Sequence, residues 1–93
     1  MTNEMIKRKV LSLVDKYNIT HIVLFGSRAN GTNTDKSDAD FIMEFGGAIS
    51  LIQLASLKYE LEDLLGISVD VIHGPIRDTD MIEIGDTIEL YVA

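Results

Sequence analysis

Apolar side chains recur at helical spacing in two stretches of the chain. Between residues 3 and 17, the spacing places five of them on one helical stripe: Ile6, Val10, Leu13, Val14 and Tyr17. A second stretch begins at Ser50, which forms a capping-box pattern with Gln53, and Gly66 marks its C-terminal end. Its apolar side consists of leucines: Leu54, Leu57, Leu61, Leu64 and Leu65. This pattern predicts two amphipathic helices.

Four shorter stretches are typical of β-strands, because they alternate or are rich in β-branched and aromatic residues. They cover residues 21–25, 40–45, 67–72 and 88–92. Residues 26–38 are rich in Gly, Asn, Thr, Ser and Asp, which predicts a loop with one helical turn beginning at Ser27. In the C-terminal region we expect a short helix over residues 81–84 and a hairpin turn at Gly85-Asp86. The order of elements predicts an α+β fold, a small sheet with helices packed on one face.

Three aspartates interrupt this pattern at the predicted strands. Asp40 opens one strand and Asp70 lies in the middle of another, while Asp38 precedes Asp40 by two residues. Residues two apart in extended chain project from the same face. If the strands that carry Asp40 and Asp70 are neighbours, the three carboxylates converge on one patch.

Such a patch favours a bound cation. Two like charges about 4 Å apart repel by about 4 kcal/mol at an effective dielectric constant near 20. A cluster of this kind is therefore partly protonated or holds a metal ion. Oxygen ligands without Cys or His select hard ions such as Mg²⁺ or Mn²⁺. Because Mg²⁺ often shares its ligands with substrate phosphates, the pattern indicates a nucleotide as the other half of the site.

The loop that follows the first predicted strand provides a place for a phosphate. Gly26 and Ser27 end that strand at a predicted helical turn, where backbone N–H groups and a hydroxyl can face an anion, and Arg28 follows them. An ordinary turn is the alternative reading of these three residues. The glycines are spaced as in a P-loop, but Thr32-Asn33 stands where that motif requires Lys-[ST], which excludes it.

Length and charge narrow the class of protein. Ninety-three residues suffice for one domain with one modest core, so we expect a single domain over residues 1–93. The net charge of −7 opposes the basic surface of nucleic-acid-binding proteins, and we expect no direct nucleic-acid partner. No apolar run approaches the ~20 residues that span a bilayer, and neither cysteines nor a signal-peptide pattern are present. We therefore expect a cytoplasmic protein without a membrane partner.

Three segments together resemble the minimal nucleotidyltransferase family of the DNA polymerase beta superfamily. They are Gly26-Ser27-Arg28-Ala29-Asn30-Gly31, Ser37-Asp38-Ala39-Asp40 and the stretch from residue 61 to residue 72. The combined spacing is far more specific than any single segment, and the resemblance covers nearly the whole chain. It implies the nucleotidyltransferase fold, with a mixed sheet and helices behind it.

The resemblance also implies the chemistry and the residues that perform it. The expected reaction transfers a nucleoside monophosphate from a nucleoside triphosphate and releases pyrophosphate, with two divalent ions, Mg²⁺ or Mn²⁺. Gly26 and Ser27 match the phosphate-binding turn. Asp38 and Asp40 match the paired metal ligands, and Asp70 matches the third carboxylate, placed to activate the acceptor hydroxyl.

Three further positions bear on how tightly the triphosphate is expected to bind. Arg28 is expected to neutralise phosphate charge. Asn30 stands where the family commonly has a basic residue, and Ala39 where a larger aliphatic residue is usual. Neither departure removes a metal ligand, so activity remains the expectation.

Many stand-alone members of the family are antitoxins encoded beside a HEPN-domain toxin, a ribonuclease, which they silence by attaching AMP to a tyrosine. The resemblance thus implies an ATP-dependent protein adenylyltransferase whose partner is such a toxin, with which it would form a hetero-oligomer. The small size fits an acceptor that brings its own docking surface.

Two alternatives to this function stay open. The first alternative is that the chain neutralises its partner by binding alone. The binding surface would be the leucine-rich helix or residues 59–93, which hold nine acidic side chains and one basic side chain. Otherwise it would transfer nucleotides to a small molecule or to RNA ends. The acidic composition disfavours RNA, because Lys and Arg contacts to phosphates supply most of the nonspecific affinity.

Overall fold

The alternating segments of the chain form β-strands and the periodic segments form helices, as the sequence predicts. The computed structural model describes residues 2–75 and 85–93. The helices are α1 (Asn3–Leu11), α2 (Val14–Tyr17), α3 (Ser27–Asn30) and α4 (Leu51–Leu65). The strands are β1 (Ile19–Phe25), β2 (Ala39–Phe45), β3 (Val69–His73) and β4 (Thr87–Val92).

The four strands form one mixed sheet in the order β3-β2-β1-β4. β1 is antiparallel to both β2 and β4, whereas β2 and β3 run parallel. A parallel pair needs a crossover connection, and α4 lies between β2 and β3 in the chain. The N-terminal ends of β2 and β3 are therefore side by side at one edge of the sheet.

The core occupies one face of this sheet. From the strands it takes alternate residues that are fully buried, among them Ile22, Leu24, Phe41 and Met43. From the helices it takes the predicted stripes, including Ile6 and Val10 of α1 and Leu57, Leu61 and Leu65 of α4. Because strand side chains alternate, the other positions of β1 and β2 face the opposite side, which we call the open face. The predicted placement of helices on one face is confirmed.

α4 begins and ends where the sequence predicts. The Ser50 hydroxyl accepts a bond from the Gln53 N–H at 3.0 Å, and the Gln53 side chain accepts one from the Ser50 N–H at 3.0 Å. Gly66 ends the helix in the left-handed conformation, with φ of 70°. None of the helices in the described residues is long and apolar enough to cross a membrane.

The predicted first helix is divided, and the single helix over residues 3–17 is a wrong prediction. The Ser12 and Leu13 N–H groups donate to carbonyls only three residues back, at 3.2 and 3.0 Å, and the Ser12 hydroxyl donates to Lys9 O at 2.6 Å. A serine hydroxyl that bonds a nearby carbonyl competes with the helical ladder. The apolar spacing continues across this turn because Leu13 stays in the core, so the stripe did not reveal the break.

The C-terminal region agrees with the prediction where the structure describes it. The expected strand over residues 88–92 is confirmed as β4, which begins one residue earlier. Gly85 has a positive φ of 78°. The helix expected over residues 81–84 lies outside the described residues.

Candidate active site

Asp40 and Asp70 are direct neighbours in the sheet. They pair in the parallel register of β2 and β3, so their side chains lie on the same face, the open one. Asp38, just before β2, is exposed. The Ala39 N–H donates to Ser68 O at 3.0 Å, so the pairing begins between the two acidic strand ends. The predicted convergence of the two strands is confirmed.

The pKa of Asp40 reflects its burial and the charges of the two other aspartates. Burial raises the pKa of Asp40 above its ordinary value, and the negative charges of Asp70 and Asp38 raise it further. A cation bound among the three would offset this repulsion.

The turn after β1 touches the same carboxylate. Phe25, the last residue of β1, pairs with Asp40. Gly26 follows with φ of 77° and ψ of −153°, a conformation that is essentially reserved for glycine. A Cβ atom on Gly26 would lie 2.6 Å from Asp40 Oδ2. The Gly26-Ser27 turn and the aspartates are therefore parts of one site, and only glycine fits the contact between them.

The structure gives Arg28 a different neighbour from the one expected. Its side chain is buried, and its Nε and Nη2 atoms donate to Ser37 O at 3.2 and 2.9 Å. The guanidinium thus bonds the backbone directly before Asp38. A contact between Arg28 and nucleotide phosphates stays a prediction.

The three aspartates offer the type of ligand atom that hard metal ions prefer. Asp38, Asp40 and Asp70 offer only oxygen atoms, and the first and last are exposed. Within residues 2–75 and 85–93, no group of three or more His, Asp or Glu side chains is placed so that it could hold a metal ion. Mg²⁺ commonly binds through one or two carboxylates and completes its shell with phosphates and water. A metal site at Asp38, Asp40 and Asp70, and the number of ions in it, therefore stay predictions.

A second polar cluster on the open face was missed in the sequence. His21 of β1 lies between two acids, with Nδ1 2.6 Å from Glu44 Oε2 and Nε2 3.0 Å from Glu89 Oε2. The ring joins β1 to β2 on one side and to β4 on the other. Sequence spacing suggested no partner for this histidine, because its partners are 23 and 68 residues away.

Comparison with known proteins agrees with this fold. A family model described as a nucleotidyltransferase domain matches residues 4–87. The chain therefore belongs to the nucleotidyltransferase domain family. It is similar to a Methanocaldococcus jannaschii protein named "Putative protein adenylyltransferase MJ0435", with 39% identity over 88 residues that cover 89% of this chain and 95% of the relative.

Two solved structures share the fold. One is a toxin-antitoxin complex with AMP-PNP, in which a chain superposes with a TM-score of 0.78 at 22% identity, covering 94% of this chain and 73% of the other. The second contains a tri-AMPylated HEPN toxin of Shewanella oneidensis in complex with an MNT antitoxin. Its TM-score is 0.72 at 18% identity, over 97% of this chain and 72% of the other. At these identities the likeness concerns the fold.

Replacing Gly26 tests the contact with Asp40. We expect Gly26→Ala to destabilise the fold by about 1–3 kcal/mol, because its φ and ψ strain an alanine. Nucleotidyl transfer should fall further, by roughly 10²-fold, because the added Cβ displaces the Asp40 carboxylate. Denaturant unfolding and a transfer assay measure the two effects.

Gly31→Ala is the matched control for this variant. Gly31 also has a positive φ, of 81°, but a Cβ there meets nothing within 4 Å. It should cost about 1 kcal/mol of stability and leave transfer by the folded protein unchanged. Equal losses of transfer in the two variants would contradict a specific contact between Gly26 and Asp40.

His21 makes the stability of the sheet depend on pH. Its hydrogen bond to Glu44 raises its pKa above the ordinary 6.5, against the lowering effect of burial, and Glu89 adds to the rise. The protonated ring therefore stabilises the fold fully below about pH 6.5, and this contribution is lost as pH rises through the raised pKa. We expect His21→Gln to lower the free energy of unfolding by about 0.5–1 kcal/mol at pH 6, because His21 and its acidic partners are partly exposed. The loss should be smaller at pH 9.

The measurement is the melting-temperature difference between wild type and His21→Gln at both pH values. Lys16→Met serves as the control, because the pKa of Lys16 is raised from 10.5 and that of its partner Glu60 is lowered from 4.5. Neither group titrates between pH 6 and 9, so the melting-temperature difference between wild type and Lys16→Met should be the same at both pH values. A His21→Gln difference that also stays constant would contradict the role of the protonated ring.

Proposed function

We propose that this chain is an antitoxin that transfers AMP from ATP to a tyrosine hydroxyl of a partner HEPN-domain toxin. The observation that carries the proposal is the pairing of Asp40 with Asp70 beside the Gly26-Ser27 turn. This juxtaposition joins a carboxylate cluster to a backbone turn that matches the family's phosphate-binding motif. It is the arrangement that a nucleoside triphosphate with a divalent ion requires.

Each site residue has a distinct role in this proposal. Asp38 and Asp40 would hold Mg²⁺ with the phosphates of ATP, and Gly26 and Ser27 would bind the phosphate chain. Bound Mg²⁺ supplies stabilisation of negative charge on the phosphate oxygens. Asp70 accepts the proton of the tyrosine hydroxyl, whose oxygen bonds to the α-phosphorus. The bond between that phosphorus and the bridging oxygen breaks, and pyrophosphate leaves.

The position of Asp70 supports a protein as the acceptor. β3 is an edge strand of the sheet, and Asp70 is exposed on it. In the described residues the helices pack on the other face, so a tyrosine on the surface of a partner has an approach to this carboxylate. The adenylyltransferase name of the M. jannaschii relative supports the same chemistry, and the complex with an AMPylated HEPN toxin supports the same class of partner.

Labelling with radioactive ATP tests the proposal. With Mg²⁺ and the product of the neighbouring gene, wild type should label that product on tyrosine. Asp70→Asn should lower the rate by roughly 10²–10⁴-fold, because it removes the group that accepts the proton. Asp38→Asn with Asp40→Asn should abolish labelling. The measurement is labelling by gel, with the modified residue identified by mass spectrometry.

Asp63→Asn is the control for charge alone. Asp63 is an exposed carboxylate on α4. The Asp63→Asn variant should label the toxin at the wild-type rate. Persistent labelling by the Asp38/Asp40 double variant would contradict the mechanism. Labelling of a small molecule in place of the toxin would contradict the proposed acceptor.

Neutralisation by binding is a second candidate, favoured by exposed apolar residues on α4. Leu51 is 84% exposed, Ile52 81% and Tyr59 64%. They occupy the same helix as the buried leucines, so α4 presents apolar side chains both to the core and to the outside. Large apolar side chains that are this exposed on one helix favour an interaction surface.

Replacing two of these residues separates binding from chemistry. We expect Leu51→Ser with Ile52→Ser to weaken the complex with the toxin by tenfold or more, since about 1.4 kcal/mol suffices for tenfold. The melting temperature should change little, because both side chains are exposed. The measurement is titration calorimetry with the toxin, and the exposed Ser56→Ala on the same helix is the control. Undiminished affinity would exclude this surface, whereas toxin binding by the Asp38/Asp40 double variant would show that binding does not require transfer.

A further inference from the structure

We propose that Arg28 is a positioning residue that holds Asp38 in place for the metal ion, and that it does not contact the nucleotide. The inference rests on the proposed function, because it assumes that Asp38 is a metal ligand. Arg28 follows the Gly26-Ser27 turn directly, and the backbone that it bonds comes directly before Asp38. One side chain therefore connects the phosphate-binding turn to the carboxylate cluster.

The contact is specific to a guanidinium. The Nε and Nη2 atoms of Arg28 both donate to the carbonyl oxygen of Ser37, at 3.2 and 2.9 Å. Arg28 is only 1% exposed, the one charged side chain that is buried in the described residues. A buried charge is costly to leave without partners, so the guanidinium stays with its hydrogen bonds. A phosphate in the open site would have to draw it out of this position.

Both ends of this connection are fixed. The Asn3 side chain donates to Arg28 O at 3.0 Å, which ties α3 to the start of α1. At the other end, the Ser37 hydroxyl accepts a bond from the Thr34 N–H at 2.8 Å, and the Ser37 N–H donates to Thr34 O at 3.1 Å. Ser37 is thus held from inside by Arg28 and from its own turn by Thr34.

The result is that Asp38 lies between two anchored peptide groups. Arg28 holds the carbonyl of Ser37 on one side, and Ser68 O accepts from the Ala39 N–H at 3.0 Å on the other. Asp38 itself is exposed. The position of Asp38 is therefore determined by the peptide groups on its two sides. The Arg28 contact fixes the peptide group before Asp38. If Asp38 were flexible, ion binding would be weaker, because ordering the residue costs conformational entropy.

Direct binding of Mn²⁺ tests the proposal without any transfer reaction. Mn²⁺ alone is titrated by electron paramagnetic resonance into wild type, Arg28→Lys and Arg28→Met. We expect the Kd for Mn²⁺ to rise by about tenfold or more in both variants, as for other groups that orient metal ligands. Lysine should not rescue, since one ammonium does not reproduce the planar pair of donors. An unchanged Kd in folded variants would overturn the proposal.

ATP binding in EDTA distinguishes positioning from phosphate contact. Without metal, the affinity of the variants for ATP should equal that of wild type. A weakened affinity would overturn the proposal in favour of a direct contact. Asn30→Ala, in the same short helix and exposed, is the matched control and should leave the Kd for Mn²⁺ unchanged.

A measurement on wild type covers the case in which the variants do not fold. The Nε–H resonance of Arg28 should exchange slowly with solvent and keep its chemical shift when ATP is added in EDTA. A shift of this resonance on adding ATP, or fast exchange, would overturn the proposal. Asp38→Asn separates this result from the proposed function, because an unchanged Kd for Mn²⁺ in that variant would reject Asp38 as a ligand whatever Arg28 does.

Discussion

The parallel pairing of β2 with β3 is the constraint on which the site depends. It sets Asp40 beside Asp70, although the two residues are 30 positions apart in the printed chain. Side chains alternate along a strand, so a register slip of one residue would turn Asp70 toward the helices and expose Val69 or Val71. Val69 is buried against the core, and α4 supplies Leu61 and Leu65 to the same cluster. Hydrophobic packing on one face thus fixes the placement of charge on the other.

β2 carries a fully buried aromatic side chain next to a carboxylate that has two acidic neighbours. In β2, Phe41 is fully buried among core residues while its neighbour Asp40 has a pKa raised by burial and by two other carboxylates. The packing of Phe41 therefore compensates for electrostatic repulsion one residue away. Sites that break the local rules of a fold in this way are typically functional.

Local signals in the sequence predicted most of the fold and the strand positions of Asp40 and Asp70, whereas contacts between distant residues were not predictable. The alternation in residues 40–45 identified the faces of β2, and Ser50 with Gln53 identified the start of α4. These signals lie within a few residues of the features that they predict. The partners of His21 and Arg28 do not, because they depend on which strands pair and where a loop returns. The break at Ser12 is local, but it was missed because Leu13, directly after it, still packs in the core. The apolar stripe therefore continues across the break.

The aspartates proposed for the chemistry and the apolar residues proposed for partner binding lie on different faces of this domain, and the edge strand β3 lies between them. The aspartates lie on the open face, while the exposed apolar residues belong to α4 on the covered face. A shallow groove of about 220 Å³ joins the two, lined by Leu51, Leu54, Ala55, Lys58, Asp70 and Val71. A partner seated on the exposed side of α4 would reach Asp70 by passing around a single strand, with no movement of the sheet. Binding through α4 and transfer at the aspartates are therefore compatible in one complex, and binding would serve transfer by raising the local concentration of the acceptor hydroxyl.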